Sequence, residues 1–224
     1  MAGAQRSVTS VAGEKGKNAY VIRTSAAVAG GKAAFTVTYT IHGDGQVRVQ
    51  QDFAPNDSLP ELPRFGMKVQ LAGDLNTMQW YGRGPFENYW DRNTASLVGI
   101  YEGSVWDQYV PYVRPQENGN KTDVRWANLF NEQGTGLRIE GAPTVEITAQ
   151  QFDTEQLAYL GREAPNKHGN EIKPGQIVSL NIDYRQMGVG GDNTWGARTH
   201  PQYTLPAAPY SYTFTIRPYE RNEK

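Results

Sequence analysis

Apolar and polar residues alternate along most of this chain, and the alternation has a period of two. In AAFTVTYTIHGDGQVRVQQDF (33–53), Phe35, Val37, Tyr39 and Ile41 alternate with Thr36, Thr38 and Thr40. After His42-Gly43-Asp44-Gly45 the alternation resumes through Val47, Val49 and Phe53. A two-residue period puts one set of side chains on each face of a pleated strand, so this stretch predicts an antiparallel hairpin around a glycine-rich turn. RFGMKVQLAG, NTMQWYG, GLRIEG, TVEITAQQF and IVSLNIDYRQMGVG read as further strands. YSYTFTIRPY closes the series, with Tyr210, Tyr212, Phe214 and Ile216 on one face. One segment reads as helical: Asp153, with Gln156 three positions on, forms a capping box for a short helix in TEQLAYLGRE that Pro165 ends. Strands spread this evenly exclude βαβ units. They predict an all-β antiparallel sandwich in one domain, residues 19–224. MAGAQRSVTSVAGEKGKN (1–18) is small and polar, lacks the apolar core of a signal peptide, and reads as a mobile N-terminal lead-in.

Composition narrows the function classes. Lys and Arg total 22 against 23 Asp and Glu, evenly scattered, so the net charge is −1 and there is no basic stripe for nucleic acid. No apolar run approaches the ~20 residues of a membrane span. With no cysteine, a disulfide framework and thiolate metal sites are excluded, while the compartment stays open. Thirteen Tyr and five Trp beside 24 Gly and 13 Pro suit a β protein rich in tight turns. The same mixture suits carbohydrate, because a flat ring offers apolar area with a polar edge.

Three loops concentrate charge, glycine and aromatic residues: WYGRGPFENYWDR (80–92), YVPYVRPQENGNKTDVRW (109–126) and GVGGDNTWGARTHPQY (188–203). In the first, Arg83, Glu87, Asp91 and Arg92 form an ion-pair cluster suited to pinning the loop. In the second, Lys121, Asp123 and Arg125 alternate on one strand face, either a site floor or a solvated surface. Glycoside hydrolysis with retention needs two carboxylates about 5 Å apart with separated pKa values. Glu87, Asp91, Glu117 and Asp192 all have arginines nearby in sequence, and Asn131-Glu132 falls in a turn, so none stands out as catalytic. His42, His168 and His200 are scattered and match no metal or triad spacing. Gly188-Val189-Gly190-Gly191 lacks the third glycine and the long helix of a dinucleotide fingerprint. Trp195 reads equally as a core residue or as an exposed platform for a sugar face. Asp192 and Asn193 read either as hydrogen-bonders inside the loop or as partners of sugar hydroxyls.

The three loops resemble one family. Gly84-Pro85-x-Glu87-Asn88-Tyr89-x-Asp91-Arg92, then YVRPQENGNKTDVRW, then MGVGGDNTWG with His200-Pro201 are similar, in order, to the motifs of the C-terminal, small-chain domain of family 2 β-galactosidases. The resemblance covers the chain from about residue 20 onward. It implies a galactose mutarotase-like supersandwich. It also implies that Trp195, with Asp192 and Asn193, reaches into the sugar site of an upstream (β/α)₈ barrel. Glu117, Asn118, Arg125 and His200 are then expected to shape the loops or line the site rim. The family's two catalytic glutamates belong to that barrel, so this domain is expected to carry no catalytic residue, no metal and no cofactor. Any Mg²⁺ or Na⁺ would belong to the barrel. The implied partners are the other domains of the same enzyme, β-galactoside sugars and, for the parent enzyme, further copies of itself. One departure is LGREAPNKHGNEI, in which His168 is displaced from the family's position. An autonomous carbohydrate-binding module or a mutarotase-like aldose epimerase is the alternative. An epimerase needs a general acid and base, and His200 is the one histidine within a motif.

Overall fold

A computed structural model describes residues 5–56, 59–161, 167–193 and 195–221. Its strands are β1 (Arg6–Lys15), β2 (Ala19–Val28), β3 (Ala33–His42), β4 (Val47–Pro55), β5 (Arg64–Ala72) and β6 (Thr77–Gly84), followed by β7 (Leu97–Ser104), β8 (Lys121–Phe130), β9 (Thr135–Gln150), β10 (Ile177–Gln186) and β11 (Tyr210–Glu220). Hydrogen-bonded neighbours run β1-β2-β3-β4-β11-β9-β8-β6-β7, and β10 joins β9 to β5. Among the described residues every strand pairing is antiparallel. The fold is all-β, as the alternation predicts.

The β3–β4 hairpin pairs Ile41 with Val47 around the expected turn, where Gly45 takes φ 85°, the left-handed region that glycine tolerates best. The two strands expected in GLRIEG and TVEITAQQF are one element. Residues 135–142 of β9 pair with β11 and residues 146–150 with β10, and Pro143, which has no N–H to donate, falls between the two pairings. The strand thus changes partners midway without ending.

The core forms where layers face one another. Phe65 of β5 packs against Phe35 and Phe53 of β3 and β4, and against Tyr210 and Tyr212 of β11. The Tyr212 hydroxyl reaches across to donate to the Ile182 carbonyl of β10 at 2.9 Å. Trp80, Leu129, Ile147, Leu180 and Phe214 are fully buried.

Two expectations are corrected. Residues 6–15 form a strand instead of a lead-in: β1 pairs with β2 from Arg6–Val28 to Lys15–Tyr20, although all ten of its residues are exposed. A strand held by its backbone ladder alone buries no side-chain face, so hydropathy carries no trace of it. The helix after Asp153 is a single 3₁₀ turn, Thr154–Leu157, capped by Asp153 Oδ1 accepting from the Glu155 N–H at 3.1 Å. The backbone turns extended at Ala158, while the stop expected at Pro165 lies outside the described residues. Among the described residues no helix is long and apolar enough to cross a membrane.

Candidate functional site

The loop at 85–92 fastens the other two motif loops in place. Asn88 is fully buried; its Oδ1 accepts from the Thr122 N–H at 2.9 Å and the Thr122 hydroxyl at 2.6 Å. The Asn88 N–H donates to the Asn120 carbonyl at 2.8 Å, and Asn120 Nδ2 donates back to the Asn88 carbonyl at 3.0 Å. Glu87 accepts from the Gly119 N–H at 2.7 Å and takes Arg92 and Tyr112 as further donors. Toward the glycine-rich loop, Asp91 Oδ2 accepts from the Gly190 N–H at 2.8 Å. The Trp90 indole N–H donates to the Tyr203 carbonyl at 3.1 Å, and the Gly188 N–H reaches that same carbonyl at 2.7 Å. The ion-pair cluster expected here is real in part: Glu87 pairs with Arg92, whereas Arg83 turns to Asp123 at 2.6 Å and Asp91 serves a backbone amide.

Close approach explains the glycines. A Cβ on Gly188 would lie 2.5 Å from Thr199 Oγ1 and 2.6 Å from Asp91 Oδ2, and one on Gly191 would lie 2.1 Å from the Ala197 carbonyl oxygen. The loop folds back on itself too tightly for any side chain at these points. Trp195 sits at its turn with 94% of its surface exposed, which rules out the core placement. Its N–H donates to Asn193 Oδ1 at 2.8 Å, and Asp192 Oδ1 meets His200 Nε2 at 2.8 Å. Asn193, Asp192 and His200 therefore make hydrogen bonds inside the loop that carries the indole.

The remaining predicted residues separate. Asn118 is fully buried, its Oδ1 accepting from the Val110 N–H at 3.2 Å and its Nδ2 donating to the Gln116 carbonyl at 2.8 Å, so it shapes a loop and lines no rim. Arg125 donates to the Asp123 carbonyl at 2.6 Å and covers the Tyr81 ring, apart from Glu117. The charged face expected on β8 does not form. Register shifts on both sides of Val124 and a φ of 53° at Asp123 break the period of two. Lys121 is consequently buried over Trp80, with its ammonium donating to the Gly119 carbonyl at 3.1 Å. Burial pushes that ammonium down to about 8.

Glu117 lies on a cleft of about 950 Å³ that also borders Gly188, Val189 and Gly190 at the root of the Trp195 loop. Its lining is mixed: Phe53, Leu62, Met187 and Val189 are apolar, while Arg64, Arg92, Tyr112, Gln116, Glu117 and Gln186 are polar or charged. Arg64 is shared among Glu117 Oε1 at 3.2 Å, Asp183 Oδ2 at 3.4 Å and the Gln186 side chain. Glu146 of β9 stands directly opposite Asp183 of β10, both buried. Burial pushes the Asp183 carboxyl up to about 7 against the pull of Arg64. Burial, reinforced by Asp183, pushes Glu146 up to about 8, and burial likewise raises Glu117. Sequence reasoning missed Arg64, Glu146, Asp183 and Gln186. Their one signal is an ionisable or amide group inside an otherwise apolar strand stretch, as in Val145-Glu146-Ile147. Among the described residues no group of three or more His, Asp or Glu side chains is placed to hold a metal ion.

The profile of the β-galactosidase small chain matches residues 2–216. The chain belongs to the β-galactosidase small-chain family. This small-chain domain is 44% identical over 200 residues to a β-galactosidase of Priestia megaterium, covering 88% of the chain and 19% of that protein. It is 36% identical over 176 residues to a β-galactosidase of Lactobacillus delbrueckii subsp. bulgaricus, covering 79% of the chain and 17% of the relative. The small-chain domain thus spans less than a fifth of the length of these curated relatives. A galactose mutarotase related enzyme from Lactobacillus acidophilus is a structural neighbour at TM-score 0.44 and 10% identity, covering 97% of this chain and 71% of that one.

Proposed function

We propose that this domain completes the sugar site of a retaining β-galactosidase, with the indole of Trp195 as an apolar platform for the sugar. The bond-breaking carboxylates would be supplied by another part of the enzyme. The observation that carries this reading is a fully solvated indole on a loop tied at three points: Asp91 to Gly190, Asp192 to His200, Asn193 to Trp195. A loop backbone held at these points has less freedom to lose on binding, so more of the contact energy appears as affinity. The absence of a local catalytic pair is part of the proposal. Glu146 and Asp183 are buried and both shifted upward, Glu117 is held by Arg64, and Asp192 is held by His200. None of these offers an ionised nucleophile beside a protonated acid, the division of roles that retention requires.

One indole face covers about 80 Å² of sugar, worth about 2 kcal/mol at ~25 cal/mol per Å². Trp195→Ala in the full-length enzyme is therefore expected to lower kcat/KM for a chromogenic β-galactoside about 30-fold, with Trp195→Phe keeping most of the activity. An unchanged kcat/KM in Trp195→Ala would reject the platform. Hydrolysis of the same substrate by the 224-residue chain alone would reject the absence of catalytic groups.

A further inference from the structure

We propose that the cleft lined by Leu62, Arg64, Glu117 and Met187 is a second saccharide site, separate from the Trp195 platform, for a neutral mono- or disaccharide. Its volume of about 950 Å³ lies within the ~300–1,000 Å³ typical of small-molecule sites. The lining combines two kinds of group. Phe53, Leu62, Met187 and Val189 offer hydrocarbon surface, while Arg64, Gln116, Glu117 and Gln186 supply donors and acceptors. A pyranose has this division, with C–H groups on one face and hydroxyls around its edge, and each hydroxyl both donates and accepts.

Charge favours a neutral ligand. The ionic residues of the lining are Glu61, Arg64, Arg92 and Glu117, two of each sign, and all are paired: Arg64 with Glu117, Arg92 with Glu87, Glu61 with Arg198. An anion entering the cleft would gain no free cation and would approach the Glu117 carboxylate. A wholly apolar guest would dry the Arg64–Glu117 pair, whose side chains are 28% and 32% exposed, without replacing the lost water. Hydroxyls can replace that water. The pair is also pre-set, because Asp183 and the Gln186 side chain hold the same guanidinium.

The test labels the methyl groups of the 224-residue chain with carbon-13 and titrates lactose while following Leu62, Met187 and Val189 together with the Trp195 indole resonance. The three methyl signals are expected to shift with a millimolar Kd, and to do so unchanged in Trp195→Ala. Sodium galacturonate, a charged sugar of similar shape, is expected to shift them far more weakly. Arg64→Leu is expected to abolish the response. Because that change strips Asp183 of its partner, Val189→Trp, placed at the 45%-exposed mouth, provides a second block that leaves the ion pairs intact. Still methyl signals under saturating lactose overturn the proposal, as does a response that vanishes in Trp195→Ala, or one that galacturonate reproduces at equal strength. The indole signal reports the platform independently, so either site can fail without the other.

Discussion

Replacing Asn88 by alanine removes one carbonyl oxygen that two buried donors share. The Thr122 N–H at 2.9 Å and the Thr122 hydroxyl at 2.6 Å would both lose their acceptor, and both groups are buried. A stranded buried donor costs about 1–3 kcal/mol, so the pair predicts a loss of about 4 kcal/mol in unfolding free energy. That is a large part of the ~5–15 kcal/mol available to an ordinary domain. Urea unfolding followed by tryptophan fluorescence reads it as a lowered midpoint at unchanged slope. Thr122→Val, which deletes the hydroxyl and leaves the amide bonded, should lose about 1–2 kcal/mol. Exposed Thr94→Ala on the same loop should stay within about 0.5 kcal/mol of the parent. A loss below about 1 kcal/mol in Asn88→Ala, or a loss no larger than that of Thr122→Val, would refute the account of this loop as the fastener of the site.

Two further outcomes follow from the buried charges and the tight glycine turn. Asp183 and Glu146 titrate at about 7 and about 8 in the fold against 3.8 and 4.5 otherwise, so the native state binds protons that the unfolded chain has released. Their stabilising contribution is full below about pH 4 and is lost as pH rises toward 8, with a slope of up to about 1.4 kcal/mol per pH unit for each group. Lys121, lowered from 10.5 to about 8, acts oppositely and restores stability above pH 8. Urea midpoints should therefore fall from pH 5 to 8 and fall less steeply in Asp183→Asn, and a midpoint rising over that interval would contradict the buried carboxyl pair. Gly191→Ala, whose Cβ would meet the Ala197 carbonyl oxygen at 2.1 Å, should displace the Trp195 loop. In the full-length enzyme this would raise KM for a galactoside at least as much as Trp195→Ala, with the core unfolding at its usual urea concentration.

How much of this was legible beforehand depended on which chemical groups held each element. β4 buries Val49, Gln51 and Phe53 on one face and β11 buries Tyr212 and Phe214, and the alternation in the sequence displays that directly; β3 keeps the same alternation although only Ala33 and Val37 are fully buried. All ten residues of β1 are exposed, so no periodicity could report it. The bulges around Val124 turned Lys121 inward, and such local register shifts are invisible to pattern reading. For the site, the motif loops were visible as clusters of glycine, charge and aromatic rings. That Asp91 belongs with Gly190, 99 positions away, or Arg64 with Gln186, 122 away, depends on tertiary contacts that spacing along the chain does not carry.

The tie from Asp91 to Gly190 has a practical corollary for protein engineering. An aromatic plate gripped from a distant turn cannot be transplanted as a short peptide. Grafting the GVGGDNTWG segment onto a different scaffold would leave the Gly190 amide hanging and its glycines with nothing to fold against. A working graft would have to carry residues 85–92, and with them the 117–122 turn that Glu87 and Asn88 hold. The smallest portable unit that keeps the shape of the indole loop is thus three separated pieces of chain moved together.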